Sequence, residues 1–253
     1  MRVLLIGGGG QVGHTVTPHL LAAGHAVRVL DRASPRPAVA GRRLAEFVQG
    51  DATDTAALDR ACAGVEAVVH LAAVVPRGPE AGDAGRIAAA YAVNIGSVHA
   101  ALLAARRHDV PAFVHISTMS VYAAFGERLV DPAVDLPDAG QPYGLSKRLA
   151  EEVCRTAARD GATTVTSLRL AFPTPDEDWP LWRPPDGRPA VRLDLAGTAF
   201  PALAACDAAT AILAAARRRG AYRAFAITGD RRGVCVRDDG TAAALGWTPL
   251  RDA

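Results

Sequence analysis

A run of glycines at positions 7–10 follows the apolar residues 3–6, and Gly13 comes three residues later. A four-residue apolar run that ends at glycines suits a strand buried on both faces, and residues 11–23 have the pattern of a helix. A glycine turn between a strand and a helix lets the backbone approach a pyrophosphate, which the free N–H groups at the helix start attract. The run therefore predicts a dinucleotide site on an α/β fold.

The glycine spacing fits two dinucleotide patterns, G-x-G-x-x-G at positions 8, 10 and 13 and G-x-x-G-x-x-G at positions 7, 10 and 13. Spacing alone does not choose between the two subfamilies. A merely flexible turn is the alternative, and the strand–turn–helix context favours dinucleotide binding over it. The cofactor contacts predicted in this loop are Gly7, Gly10, Gln11, Val12 and Gly13.

An acidic residue, Asp31, ends the second apolar run, 18 residues after Gly13. A carboxylate at this place accepts hydrogen bonds from both adenosine ribose hydroxyls and repels a 2′-phosphate, so NAD is the expected cofactor. Arg32 and Arg36 are close enough in sequence to host that phosphate, and NADP therefore stays an alternative.

A second acidic residue, Asp51, follows the third apolar run and precedes Ala52. A carboxylate there is the right kind of group to meet the adenine amino group, and Asp51 and Ala52 are predicted cofactor contacts. The alternative is an N-terminal cap for the next helix, which Thr53 or Asp54 would supply equally well.

Strand-type runs and alanine-rich helical runs alternate through residues 1–172. The predicted strands are 3–6, 26–30, 46–49, 67–71, 112–116 and 164–170, and the predicted helices are 11–23, 55–62, 84–107 and 144–159. This alternation predicts a doubly wound parallel sheet of the Rossmann type that carries the cofactor and catalytic residues. Residues 173–190 hold six prolines, and a helix over 201–219, a strand over 223–228 and a helix over 241–245 follow. Residues 173–253 are predicted to form a small substrate cap that is not an independent domain.

Composition excludes several classes of function. The chain has 28 Lys and Arg against 26 Asp and Glu, without the clustered excess that a nucleic-acid binder needs. The four cysteines and seven histidines show no metal-site spacing, and we expect reduced thiols in the cytoplasm because no secretory segment is recognised. The most apolar stretch, 195–216, is interrupted by Pro201 and Asp207, which indicates a buried helix and predicts no contact with a membrane.

Tyr143 and Lys147 are spaced four residues apart on a predicted helix, which places both side chains on one face. A phenol with an ordinary pKa of about 10 becomes a useful base only when a nearby cation favours phenolate. The chain has 27 arginines and a single lysine, and that lysine is the only basic residue that stands four positions after a tyrosine. An ammonium and a guanidinium group are not interchangeable. The single lysine in a chain that otherwise uses arginine therefore points to Lys147 as a functional residue.

Two hydroxyl residues, Ser117 and Thr118, follow the fifth predicted strand. Their side chains are expected at the carboxyl edge of the sheet, where parallel sheets bind ligands. Capping of the following loop is the alternative role for either hydroxyl.

Together these segments resemble the extended short-chain dehydrogenase/reductases, the NAD-dependent epimerase/dehydratase family. The resemblance covers residues 1–172 in order, and the compact layout after residue 172 is similar to that of uronate dehydrogenases. The motifs that carry it are Gly7-x-x-Gly10-x-x-Gly13, Asp31, Gly50-Asp51-Ala52, His70-Leu71-Ala72-Ala73, Asn94-Ile95-Gly96, Ser117-Thr118-x-x-Val121-Tyr122, Tyr143-x-x-x-Lys147 and Leu168-Arg169.

The resemblance implies a role for each matching residue. Tyr143 would be the acid/base, Lys147 would hold the nicotinamide ribose and tune Tyr143, and Thr118 would bind the reacting oxygen. Asn94 would support the active-site helix. The further cofactor contacts implied are Arg32, Leu71, Ala72, Ala73, Asn94, Ser117, Tyr143, Lys147 and Leu170. The substrate contacts expected are Val74, Thr118, Met119, Ser120, Tyr143, Phe172 and Arg183, the last as a partner for a carboxylate.

These observations predict an NAD(P)-dependent oxidoreductase that moves hydride between nicotinamide and a secondary alcohol, ketone or lactol of a small polar molecule such as a sugar acid. One alternative is an epimerase or dehydratase that keeps its NAD bound and acts on a sugar or natural-product intermediate. Another is a non-catalytic relative that senses the cofactor. The resemblance also implies a homodimer through helices 84–107 and 143–159.

Overall fold

The computed structural model describes residues 1–33, 46–184, 187–237 and 240–251. The strands are β1 (Arg2–Ile6), β2 (Ala26–Asp31), β3 (Glu46–Gln49), β4 (Ala67–His70), β5 (Ala112–Thr118), β6 (Thr164–Leu170), β7 (Pro173–Thr174), β8 (Arg192–Leu193), β9 (Ala199–Phe200), β10 (Leu203–Ala204) and β11 (Arg223–Ile227). The helices are α1 (Gln11–Ala22), α2 (Thr55–Cys62), α3 (Ala84–Tyr91), α4 (Ser97–Arg107), α5 (Pro142–Ala157), α6 (Ala205–Arg217) and α7 (Thr241–Leu245).

Seven strands form one parallel sheet in the order β11-β6-β5-β4-β1-β2-β3. The predicted doubly wound α/β fold is therefore confirmed. The direction of winding reverses at β1, which pairs with β2 on one side and with β4 on the other. In open parallel sheets the crevice outside the carboxyl ends of the strands at such a reversal is the ligand site.

Both faces of the central part of the sheet are covered, which explains why most residues of its inner strands β1, β4 and β5 are apolar and buried. Alternate side chains of β1 enter different layers: Val3 and Leu5 pack with residues of α1 and α6, and Leu4 and Ile6 pack with residues of α2, α4 and α5. The helices fix the sheet from both sides, so the loops at the strand ends start from rigid positions.

Part of the segment predicted as a cap belongs to the main fold. β11 extends the sheet beside β6, and α6 packs against α1 on one face of that sheet. The helix predicted over 201–219 begins only at Ala205, because Leu203 and Ala204 pair in parallel with Pro173 and Thr174 as a small second sheet. The chain that lies outside the α/β layers is thus mainly the stretch between β6 and α6.

The predicted helix over 84–107 is continuous but changes its winding. A π-helical turn, Ala92–Gly96, separates α3 from α4. By length and composition alone, the run Ala84–Arg107 is also apolar enough to cross a membrane, a test that core helices pass as well. Here Ala101, Leu102 and Ala105 of α4 are buried against the sheet and α2.

Candidate active site

A cavity of about 920 Å³ opens at the carboxyl ends of the central strands. One side of it is formed by the glycine loop between β1 and α1. Gly7 has a φ of +80°, and a Cβ at this position would lie 2.6 Å from the backbone nitrogen of Ala72. A Cβ on Gly13 would lie 2.4 Å from the carbonyl oxygen of Gly8. Both positions therefore require glycine, because a side chain would separate α1 and β4 from the loop.

The N-terminus of α1 lies against the same cavity. Its N-cap is Gly10, which provides no side-chain cap, and Gln11, Val12 and Gly13 line the cavity. The first N–H groups of a helix have no intrahelical acceptors and carry a partial positive charge. A phosphate group in front of Gln11 would satisfy them, so the loop has the shape and the donors for a pyrophosphate.

Two acidic residues line the cavity beside the glycine loop. Asp31 at the end of β2 accepts hydrogen bonds from the backbone N–H groups of Gly9, at 2.9 Å, and Arg32, at 2.7 Å. Asp51 accepts from the backbone and hydroxyl of Thr53, and these bonds lower the pKa of its carboxyl group. Asp54 caps α2, so capping is not the role of Asp51. Arg36, the other residue considered for a 2′-phosphate, lies outside the described residues.

Tyr143 stands at the start of α5 and lines the middle of the cavity. Its hydroxyl is hydrogen-bonded to the side chain of Thr118 at the end of β5. Burial raises the pKa of Tyr143 to about 12, while the Thr118 bond and the positive charge of Arg77 act in the opposite direction. Additional positive charge beside the phenol is thus needed before it can act as a base near neutral pH.

The side chain of Lys147 lies one helical turn further along α5 and is 1% exposed. Its Nζ donates a hydrogen bond of 2.8 Å to the carbonyl oxygen of Ile116, and it lines the cavity. Burial lowers the pKa of Lys147 to about 8, against the opposing effects of Cys154 and Glu151. His70, which is fully buried in the core, has its pKa lowered to about 3 by burial first and by Lys147 second.

Strand geometry separates the two hydroxyls that the sequence placed together. β5 continues to Thr118 rather than ending at residue 116, so Ser117 and Thr118 point to opposite faces. The Ser117 hydroxyl donates to a carboxylate oxygen of Glu151 at 2.6 Å, and Glu151 is paired with the buried Arg169 at 2.7 Å. Thr118 faces Tyr143, and the structure therefore places Thr118, not Ser117, beside the phenol.

Asn94 lies in the π-helical turn and is fully buried. Its amide accepts from the backbone N–H of Val74 and donates to the Val74 carbonyl, both at 2.8 Å. It also donates to the Ser146 hydroxyl at 2.9 Å. Asn94 thus ties the loop after β4 to the helix residue beside Lys147, and it supports the site without lining the cavity. π turns commonly occur at functional sites for such reasons.

The structure brings most of the predicted residues together. The predicted cofactor contacts that line the cavity are Gly7, Gly10, Gln11, Val12, Gly13, Asp31, Arg32, Asp51, Ala52, Leu71, Ala72, Ala73, Ser117, Tyr143, Lys147 and Leu170. Among the predicted substrate contacts, the lining residues are Val74, Thr118, Ser120, Tyr143 and Phe172.

Two predicted substrate contacts lie elsewhere. Met119 starts a 3₁₀ turn after β5 and is fully buried in a core cluster with Val121 and Tyr122. Arg183 is exposed and forms an ion pair with Asp178, and only its backbone approaches the site, where it accepts a hydrogen bond from Gln11. Neither side chain lines the cavity.

Several lining residues were not predicted from the sequence. They include Val75, Arg77, Phe125, Trp182 and Pro184. The proline-rich character of residues 173–190 indicated a segment that lines a site, and Trp182 and Pro184 come from that segment. Phe125 had no comparable signal, because it lies in an irregular loop whose path depends on the rest of the fold.

Comparison with known proteins assigns the family. Residues 3–173 match the profile described as the NAD dependent epimerase/dehydratase family. The chain belongs to this family. The matched range includes the glycine loop, Asp31, Asp51 and the Thr118–Tyr143–Lys147 group. The family is NAD-dependent, which confirms the prediction of NAD as the cofactor.

Individual relatives differ in the substrates that their names specify. A 3 beta-hydroxysteroid dehydrogenase/Delta 5→4-isomerase of Mycobacterium tuberculosis is 38% identical over 122 residues, 47% of this chain and 32% of that protein. A uronate dehydrogenase of Pseudomonas syringae pv. tomato is 29% identical over 180 residues, 69% of this chain and 61% of that protein. The match thus spans less than two thirds of either relative.

Solved structures support the fold independently. A short-chain dehydrogenase/reductase superfamily protein from Agrobacterium tumefaciens, crystallised with bound NAD, superposes with a TM-score of 0.75 at 23% identity. The superposition covers 100% of this chain and 93% of that one. At this identity the likeness establishes the fold, and the chemistry has to be argued from the site itself.

Proposed function

We propose that the protein is an NAD-dependent oxidoreductase that interconverts a secondary alcohol and a ketone, or a lactol and a lactone. The observation that carries the proposal is that Thr118, Tyr143 and Lys147 line the same cavity as the glycine loop and Asp31. A dinucleotide that follows the cavity from Asp31 past the loop would end next to Tyr143.

The residues divide the chemistry among them. NAD held by the glycine loop and Asp31 would supply the acceptor for the hydride of the carbinol carbon. Tyr143 takes the hydroxyl proton, and the Thr118 hydroxyl holds the substrate oxygen next to it. Lys147, fixed by the Ile116 carbonyl, contributes the positive charge that favours phenolate. In the opposite direction Tyr143 returns the proton to the forming alkoxide.

Asp31 is proposed to set the preference for NAD over NADP. We expect Asp31→Ala to raise the affinity for NADP relative to NAD about tenfold or more, because it removes two charge-assisted hydrogen bonds and a repelling charge. Equilibrium binding of both cofactors to the wild type and the variant measures this ratio. Asp59→Ala, on α2 outside the cavity, is the matched control. Tighter binding of NADP than NAD by the wild type would contradict the assignment.

An epimerase or dehydratase is the second candidate, because the family includes such enzymes. These reactions return the hydride to the substrate, so NAD is regenerated in each cycle. Absorbance at the wavelength of reduced nicotinamide distinguishes the two: accumulation of NADH in proportion to substrate supports the dehydrogenase. A cofactor sensor without turnover is disfavoured by the intact Tyr143–Lys147 pair.

We also propose a homodimer through α3, α4 and α5. Small residues are exposed along the outer side of α3, the π turn and α4. Two leucines are also partly exposed, Leu103 of α4 at 41% and Leu149 of α5 at 42%. The exposed small residues include Ala88, Ala89, Ala92 and Gly96. Such a surface suits close packing of helices from two subunits.

The proposed homodimer can be tested by a substitution in its interface. A Cβ at Gly96 meets no atom within 4 Å, so Gly96→Glu fits the isolated chain but places a charge in the proposed interface. We expect light scattering to report a dimer for the wild type and a monomer for this variant. Ala22→Glu, at an exposed position of α1 on the other face of the sheet, is the control and should stay dimeric. A monomeric wild type would refute the interface.

We further propose a cytoplasmic location, a compartment in which thiols such as the four free cysteines stay reduced.

A further inference from the structure

The end of the cavity beyond Tyr143 is built from aromatic rings. Phe172 stacks on Phe125 with ring centres 5.2 Å apart, and it meets Trp182 edge to face at 5.3 Å. All three residues line the cavity, and Val74, Val75 and Pro184 continue the same lining. Phe125, Phe172 and Trp182 are called the aromatic wall below.

The aromatic wall adjoins the catalytic hydroxyls. In the sheet, Leu170 of β6 is the register partner of Thr118 of β5, and Phe172 follows Leu170 by two residues. The backbone of Phe172 has a φ of +49°, an unusual value for a residue with a side chain. Its carbonyl accepts a hydrogen bond from Leu203 at 3.2 Å, which helps to hold this conformation. The aromatic wall therefore follows a strand end that adjoins Thr118, and both line the same cavity.

A guanidinium group holds the wall in position. Arg192 lies over the ring of Phe172 at 4.4 Å and over the ring of Trp182 at 5.3 Å. Arg192 itself does not line the cavity. Stacking of an arginine on aromatic faces is favourable and directional, so the two rings form a preformed surface rather than adaptable side chains.

Polar groups at this end are few among the described residues. The lining side chains that can bond a substrate here are those of Thr118, Ser120 and Tyr143, the guanidinium of Arg77 and the indole N–H of Trp182. A sugar acid carries a hydroxyl on almost every carbon, and each one left without a partner in a closed site weakens binding. Arg183, the residue predicted to pair its carboxylate, is engaged by Asp178 outside the cavity.

We infer that the substrate is a secondary alcohol or ketone whose carbinol carbon carries an apolar ring, and that this ring packs against the aromatic wall. The inference rests on the proposed oxidoreductase function and narrows its substrate class from polar sugar acids to molecules with one polar end and an apolar body. Aromatic and apolar linings with a few convergent polar groups are typical of sites for such ligands.

Two alcohols serve as probes, 1-phenylethanol for the inferred class and glucuronate for a sugar acid. With NAD, we expect the wild type to oxidise 1-phenylethanol with a kcat/KM at least about tenfold above that for glucuronate. Trp182→Ala should lower kcat/KM for 1-phenylethanol about tenfold and leave NAD binding unchanged, and Trp182→Phe should restore most of it. Trp179→Ala is the matched control, because Trp179 bonds the Ala202 carbonyl and does not line the cavity.

Binding is measured separately from turnover, by quenching of tryptophan fluorescence when 1-phenylethanol is added to the NAD complex. Binding of 1-phenylethanol without NADH formation supports the aromatic wall as the site of the apolar ring and refutes the proposed oxidoreductase function. Turnover of glucuronate in preference to 1-phenylethanol refutes the wall and keeps the proposed function. An unchanged kcat/KM in Trp182→Ala, or no binding of 1-phenylethanol, also overturns the inference.

Discussion

Replacement of Tyr143 by phenylalanine is expected to remove turnover almost completely while NAD binding is retained. The variant keeps the ring that lines the cavity and loses only the hydroxyl that bonds the Thr118 side chain. Loss of a general acid/base lowers rates by about 10²–10⁴-fold. Initial rates of NADH formation, together with equilibrium binding of NAD, measure the two effects independently.

A second tyrosine provides the control for this substitution. Tyr91 of α3 does not line the cavity, so Tyr91→Phe removes the same atom elsewhere and should leave the rate unchanged. Equal rates for the wild type and Tyr143→Phe would refute the catalytic role of the phenol and, with it, the proposed oxidoreductase mechanism.

The pH dependence of alcohol oxidation should reflect the same group. Tyr143 must be deprotonated to take the hydroxyl proton, and burial, only partly offset by Thr118 and Arg77, raises the pKa of Tyr143 to about 12. The positive charge of bound oxidised nicotinamide acts in the opposite direction and favours phenolate. The rate is therefore expected to rise with pH as the phenol ionises.

The elements of the sheet could be predicted from the sequence because the signal for them is local. Short strand-type runs that alternate with helical runs marked β1 to β6, and the glycine loop was expected to follow a strand and to open a helix. Cofactor contacts followed, since they lie on these strand ends. β11 was recognised as a strand, but its place beside β6 depends on long-range pairing that no local pattern reveals.

Residues in the loops were harder to predict, for a geometric reason. The two residues after β5 that were expected to face the substrate illustrate it: Ser120 lines the cavity, whereas Met119 enters the core because a 3₁₀ turn rotates it inward. Phe125 and Trp182 come from separate loops and meet only through Phe172. Sequence periodicity describes neither event, since both depend on where a loop returns to the fold.

Lys147→Arg is expected to lower kcat/KM about 100-fold or more, although the positive charge is conserved. The lysine is 1% exposed and donates to a single backbone acceptor, the carbonyl of Ile116. A guanidinium is larger and has five N–H donors, and those without acceptors in a buried site carry a large desolvation cost. Rates of NADH formation measure the effect. The neighbouring Arg148→Lys, the reverse exchange outside the cavity, is the control, and full activity in Lys147→Arg would remove the special role of the ammonium group.

Stability measurements test the buried charge without relying on activity. Burial lowers the pKa of Lys147 from 10.5 to about 8, so between these values the folded protein binds fewer protons at this site than the unfolded chain. The free energy of unfolding should therefore rise with pH across this window, relative to a variant without the group. Below pH 8 the folded state carries the full cost of the buried ammonium, and above 10.5 that cost is absent.

Lys147→Met provides the comparison, because methionine is apolar and fits an elongated buried space. Urea denaturation without added NAD, at about pH 7.5 and about pH 10, should show that the stability advantage of the Lys147→Met variant over the wild type shrinks as the pH rises. A difference that does not change with pH would mean that the folded and unfolded chains bind the same number of protons at this site, so that burial does not lower the pKa of Lys147.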